Sequence, residues 1–218
     1  MSRFFPLLVI LAYAICSSSA RAQTKSPLIP PCKGEVKYSV TDGGPYNELI
    51  HESDPNRRLA LLDDFVSQHK PSPAMLVYIY PLYSRSYSEV KNFPMVIEYT
   101  DKLLALGDKV GASERYAALR EWAAAYNSMD SVDATLAEKA LMRTGEGIEA
   151  VGKIDKPESV DANTFELQKR IATIYFHATA GAAAIKLKNF PAAHDSFKAI
   201  VALEDAPLPC VQQKSVNK

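Results

Sequence analysis

The sequence predicts an all-α fold built from about four antiparallel helix pairs. Three observations carry that expectation. The tetrapeptide Lys-Asn-Phe-Pro occurs twice, at residues 91–94 and 188–191, each time between two helix-like stretches. From Pro45 onward, apolar residues recur at helical spacing. Strand signals are nearly absent: the alternating stretch over 35–40 has no second strand to pair with, so extended coil is expected there.

Residues 1–22 read as a secretory signal. Arg3 supplies a positive n-region, residues 4–16 form an uncharged stretch of 13, and Ala20-Arg21-Ala22 is an A-x-A cleavage site before Gln23. That stretch is shorter than the roughly 20 apolar residues of a membrane span. Ile15, just before Cys16, is bulkier than the residue a lipid-attachment site places there. The expected address is secreted or periplasmic. Without residues 1–22 the chain carries 23 basic and 25 acidic residues. No basic surplus exists to neutralise phosphates, which argues against nucleic acid or an anionic membrane as partner. Cys32 and Cys210, one near each end, are candidates for a disulfide in an oxidising compartment; two unpaired thiols are the alternative.

Residues 23–44 are linker-like, with Pro27, Pro30 and Pro31 ahead of Asp42-Gly43-Gly44-Pro45. A short first helix is expected over 46–52. Asp54 followed by Pro55 is an N-cap with proline at the first helical position. Leu59, Leu62, Phe65 and Val66 then form an apolar stripe. The next helix spans 74–90, where Pro81 predicts a bend or a late start, since an interior proline costs ~3 kcal/mol. Pro94 opens its partner, which stops at Gly107. Residues 113–127 and 133–151 form a third pair, followed by a polar loop over 152–161. Asn163 with Glu166 has the form of a capping box and opens a long helix to Leu187. Pro191 starts the last helix, which runs to Leu203, and 206–218 is a proline-containing tail.

The flanks of the two tetrapeptides also agree. Ser84 and Gly181 lie nine positions before the Phe, and Val96 and Ala193 lie three after it. With Phe197 one turn beyond Ala193, where the second unit has Thr100 in place of the usual aromatic, these units resemble tetratricopeptide repeats over residues 45–205. The export signal and the Glu52-Ser53-Asp54-Pro55 start are similar to members of that family in bacterial envelopes. The resemblance implies a right-handed solenoid in which small residues let helices approach and aromatics fill the wedge between them. Phe93 and Phe190 are therefore expected between helices. The motifs are 97 residues apart, not a multiple of the family's repeat of about 34, so the third pair is expected to be irregular. In that family the first helix of each repeat lines a concave groove. The positions carried over are Tyr78, Arg85 and Glu89 in the second pair, with Tyr175, Ala182 and Lys186 in the fourth. Arg85 and Ala182 do not reproduce the Lys/Asn set with which some members hold a C-terminal carboxylate.

No H-E-x-x-H, G-x-S-x-G, P-loop or C-x-x-C motif occurs. Gly145-x-Gly147 with Gly152 lacks the spacing and preceding strand of a dinucleotide site. His51, His69, His177 and His194 show no i, i+4 pairing, so no metal or cofactor is expected. Tyr78, Tyr80, Tyr83 and Tyr87 crowd one helix, where core packing competes with a role as rigid contact area. The expected function is a non-catalytic scaffold binding a protein or peptide. An envelope hydrolase acting on cell-wall material, using two neighbouring carboxylates of which one is raised in pKa, is an alternative. A small-ligand binder using the tyrosine-rich face is another. Solenoids finish on a polar capping helix, and none is visible after Asp205. The last repeat's face is accordingly expected to meet the N-terminal linker, held by Cys32 and Cys210, another protein, or a second copy of the chain.

Overall fold

The computed structural model describes residues 40–205, with side-chain surroundings from Tyr46 onward. The expected signal (1–22), most of the linker, Cys32, Cys210 and the tail over 206–218 lie outside the described residues. What is described is all helical, with eight α-helices, one 3₁₀ turn and no strand. The helices are α1 (Val40–His51), α2 (Pro55–His69), α3 (Pro73–Glu89) and α4 (Phe93–Leu104), then the 3₁₀ turn Gly107–Lys109. After it come α5 (Ala112–Asn127), α6 (Ala134–Gly152), α7 (Ala162–Lys186) and α8 (Phe190–Asp205). No helix among the described residues is long and apolar enough to cross a membrane.

Helix starts follow from side-chain capping. Asp54 accepts from the backbone N–H groups of Asn56 (2.8 Å) and Arg57 (3.1 Å), and Pro55 pre-sets φ, which together launch α2. Asp133 does the same for α6, accepting from Leu136 N at 2.7 Å. For α7 the cap is Asp161, which accepts from Asn163 N and Thr164 N at 3.1 and 2.9 Å. The expected Asn163 capping box is therefore displaced by two residues. A carboxylate at 161 satisfies two orphan amides at once, and that decides the start.

Both Lys-Asn-Phe-Pro segments form the same corner. Lys91 and Lys188 adopt left-handed φ values of 59° and 58°. Asn92 N donates to Tyr87 O and Asn189 N to Ala184 O, both at 2.8 Å. Lys91 N donates to Ser88 O (3.0 Å) and Lys188 N to Ile185 O (2.9 Å). This is the Schellman pattern, with lysine at the position usually given to glycine.

Two expectations on helix bounds are corrected. α1 begins at Val40, inside the stretch read as linker, although Gly43, Gly44 and Pro45 are turn formers by local preference. Packing of the fully buried Leu49 holds this segment, and tertiary contact outweighs propensity there. α3 starts at Pro73 and continues through Pro81, so of the two outcomes expected there it is the late start that is corrected. The Ser84 hydroxyl bonds the Pro81 carbonyl at 3.2 Å, and the buried Ile79 and Tyr83 anchor the helix on either side.

Each helix packs on the next in the chain, and α5 also packs on α7. Leu49, Leu62, Phe65, Ile79 and Tyr83 join α1, α2 and α3 in one core. Val96, Ile97, Trp122, Tyr126, Ala137 and Ala183 join α4 to α7 in a second. Burial of each large side chain here contributes about 1.5–3 kcal/mol. Trp122 is fully buried, and its indole N–H finds no hydrogen-bond partner, a cost of about 1–3 kcal/mol. Small residues set the closest approaches. A Cβ on Gly147 of α6 would overlap the Phe176 ring of α7, and one on Gly181 would lie 2.6 Å from Phe197 Cζ of α8. Of the two motif phenylalanines, Phe93 packs against the second core, as expected. Phe190 does not: it stands 65 % exposed, because Phe197 and Ala193 take the seam against α7. That expectation is corrected.

Candidate functional site

Polar groups bridge helices two apart in the chain. Between α4 and α6, Asp101 pairs with Lys139 (2.5 Å) and Arg143 (2.8 Å). Between α3 and α5, Ser84 Oγ donates to Glu121 Oε2 at 2.8 Å. Between α5 and α7, Asn127 Nδ2 donates to Thr179 Oγ1 at 2.8 Å, with Tyr175 Oη at 3.4 Å. The α3, α5 and α7 bridges place a run of polar atoms along the odd-numbered helices, the stretch to which the expected groove residues belong.

The structure distributes those expected residues unevenly. Arg85 is exposed on α3 and pairs with Glu89 at 2.9 Å. Glu89 also closes on Arg58 at 2.6 Å. Arg58 is almost wholly buried, with Nε donating to Ser86 Oγ (2.7 Å) and Nη1 to Glu52 O (2.8 Å). Glu89 thus serves first as counter-ion to a buried guanidinium. Burial alone would raise its carboxyl, but the hydrogen bonds and charges of Arg58 and Arg85 outweigh that and hold it below the ordinary value. Tyr78 is half-buried on α3, while Ala182 and Lys186 are exposed on α7. Tyr175 is half-buried, and its phenol is raised by burial against the opposing effects of Asn127 and Arg120. Arg85 and Glu89 are brought together. Tyr175 meets Asn127, a residue outside the expected set.

Glu121 is the group sequence reasoning missed. Burial pushes its carboxyl up, against the Ser84 hydrogen bond and the Arg85 charge. Among the described residues Ser84 is its hydrogen-bond partner. A signal was present: Glu121 sits three residues after Ala118 and four before Ala125, both buried, and so lies on the edge of the apolar stripe of α5. Its partner 37 residues away had no sequence signature.

The tyrosine crowd resolves into a packed cluster joined by Tyr99 of α4. Tyr83 and Tyr99 stack at 4.2 Å between centroids, Tyr87 lies 5.6 Å and Tyr80 5.9 Å from Tyr99. Tyr83 Oη donates to Asp63 at 2.7 Å, tying α2 to α3. Lys102 covers the Tyr99 ring at 4.2 Å. Burial, then the charges of Tyr87 and Asp63, push Tyr99 up to about 12. Tyr78 is not among these ring contacts.

The histidines have local roles. His69 packs on Phe65 at 4.7 Å, His194 lies 3.3 Å from Asp195, and burial lowers His177. Gly147, of the glycine pattern noted above, makes room for Phe176. No protein family, curated protein or solved structure matches the chain.

Proposed function

We propose that this chain is an exported, non-catalytic helical-repeat protein that holds a protein or peptide segment against its odd-numbered helices. In this reading the eight helices stack as about four antiparallel pairs in a right-handed solenoid of tetratricopeptide type. Contacts from each helix to its neighbour, polar bridges between helices two apart, and the twice-built Lys-Asn-Phe-Pro corner support that arrangement. Export rests on Arg3, the uncharged stretch over 4–16 and Ala20-Arg21-Ala22.

The observation that carries the binding role is the exposed Arg85 and Asn127, which flank the inward-facing Ser84–Glu121 and Asn127–Thr179 bridges across α3, α5 and α7. Donors and acceptors of both signs on adjacent helices suit the backbone and charged side chains of a peptide. The raised carboxyl of Glu121 is one of the features the hydrolase alternative asks for; the groups that act on it are a hydroxyl and a guanidinium.

Selection from a peptide-display library on the immobilised protein tests this, with affinities of enriched peptides measured by fluorescence anisotropy. Arg85→Ala combined with Tyr78→Ala is expected to weaken binding about fivefold or more. Lys153→Ala, at an exposed ion pair in the polar loop, is expected to leave it unchanged. No enriched peptide, or equal affinity for wild type and the Arg85/Tyr78 variant, would overturn the reading.

A further inference from the structure

α8 carries an apolar stripe that the described residues leave partly exposed, although Phe197 also touches Gly181 of α7. Phe190 is 65 % exposed, Phe197 41 % and Val201 56 %. At 100° per residue these i, i+7 and i+11 positions fall on one narrow arc of the helix. Ile185, 50 % exposed at the end of α7, lies across the corner from Phe190. The patch spans about 17 Å along the axis.

Exposed His194, Asp195 and Lys198 stand midway along α8, and further charge is divided between its two ends. Exposed Lys186 and Lys188 stand at the end where α8 begins. Exposed Glu204 and Asp205 stand where it finishes. α8 has no acid in its first turn and no base in its last, so its two terminal acids face the negative end of their own helix dipole. Such a surface is unfavourable in isolation and complementary to itself when reversed.

We infer that α8 is the contact surface of a two-fold symmetric dimer of this chain, with the two α8 helices antiparallel. Reversal about a point near Phe197 lays apolar stripe on apolar stripe. It sets Lys188 of each copy beside Glu204 and Asp205 of the other, twice per interface, as an isologous contact requires. The terminal acids of one copy then lie near the positive dipole end of the other. A parallel arrangement would set acid against acid and lysine against lysine. This contact is independent of the odd-helix face and of what that face binds.

Sedimentation velocity on the purified full chain, up to about 100 μM, is expected to show a reversible monomer–dimer equilibrium. Phe190→Glu with Val201→Glu is expected to leave only monomer. Phe197 is avoided in that variant because it packs on Gly181. Glu204→Lys alone is expected to weaken dimerisation about tenfold, and adding Lys188→Glu in the same chain to restore it. Circular dichroism checks that each variant keeps wild-type helicity. A monomeric wild type, the outcome if residues 206–218 or a different protein cover this face, overturns the inference. So does a dimer indifferent to the Phe190/Val201 variant, or a charge swap that fails to restore what Glu204→Lys removes.

Discussion

Two glutamates show how a carboxylate's surroundings decide its contribution. Glu89 is held low by two arginines, so its ionised form stabilises the folded chain at neutral pH, and that contribution is lost as pH falls through its folded value. Removing it would leave the buried Arg58 guanidinium with Ser86 Oγ and Glu52 O but without its counter-ion, a destabilising change. Glu121 has the opposite sign. Burial raises its carboxyl above the ordinary 4.5, so the folded chain holds that proton more tightly than the unfolded one. Stability is therefore lost as pH rises from 4.5 through the folded value, and at neutral pH the full penalty is present. Glu121→Gln keeps an acceptor for Ser84 without the charge. Its melting temperature at neutral pH is expected to exceed wild type by a few degrees, with the gap closing as the buffer is acidified toward pH ~4. Thermal melts across that range check it, and a gap that is absent or independent of pH would show that Glu121 is not held against burial.

At the level of helices, two glycine seams look alike and differ in what lies above them. Gly147 faces Phe176, which is fully buried and edged by Tyr116 at 6.3 Å, so the ring has nowhere to move. Gly181 faces Phe197, whose ring borders solvent and can swing outward. Alanine gains about 1 kcal/mol of helix preference over glycine, while overpacking costs about 1–3 kcal/mol. Calorimetry is expected to find Gly147→Ala several degrees less stable than wild type and Gly181→Ala within about two degrees of it. Equal losses would mean that both rings are equally confined. Much at this level was legible in the sequence. Asp54-Pro55, the two Lys-Asn-Phe-Pro segments and the helices expected over 113–127 and 133–151 all appear where local capping and periodicity placed them, because those signals act within a few residues. The start of α1, the continuity of α3 across Pro81 and the exposure of Phe190 were not legible, since each is decided by what packs alongside. The Ser84–Glu121 bridge stayed hidden for the same reason: it depends on the register between two helices.

For the molecule as a whole, contacts between chain neighbours dominate, a pattern that favours fast folding and opening by parts. The wide core around Trp122, Ala125, Ala137 and Ala140 places α5 and α6 at the centre of that ladder of contacts. Native-state hydrogen exchange is expected to find the slowest amides in α5 and α6 and faster ones in α1 and α8; a single level of protection through all eight described helices would contradict it. The twin corners add one consequence at this scale. The backbone hydrogen bonds that close them and start the next helix run within residues 86–96 or 183–193. Such a bend is portable: it asks nothing of its neighbours and folds alike beside a sheltered Phe93 and a bare Phe190. Evolution or a protein engineer is thereby at liberty to redraft the surfaces on either side without redrawing the hinge that joins them.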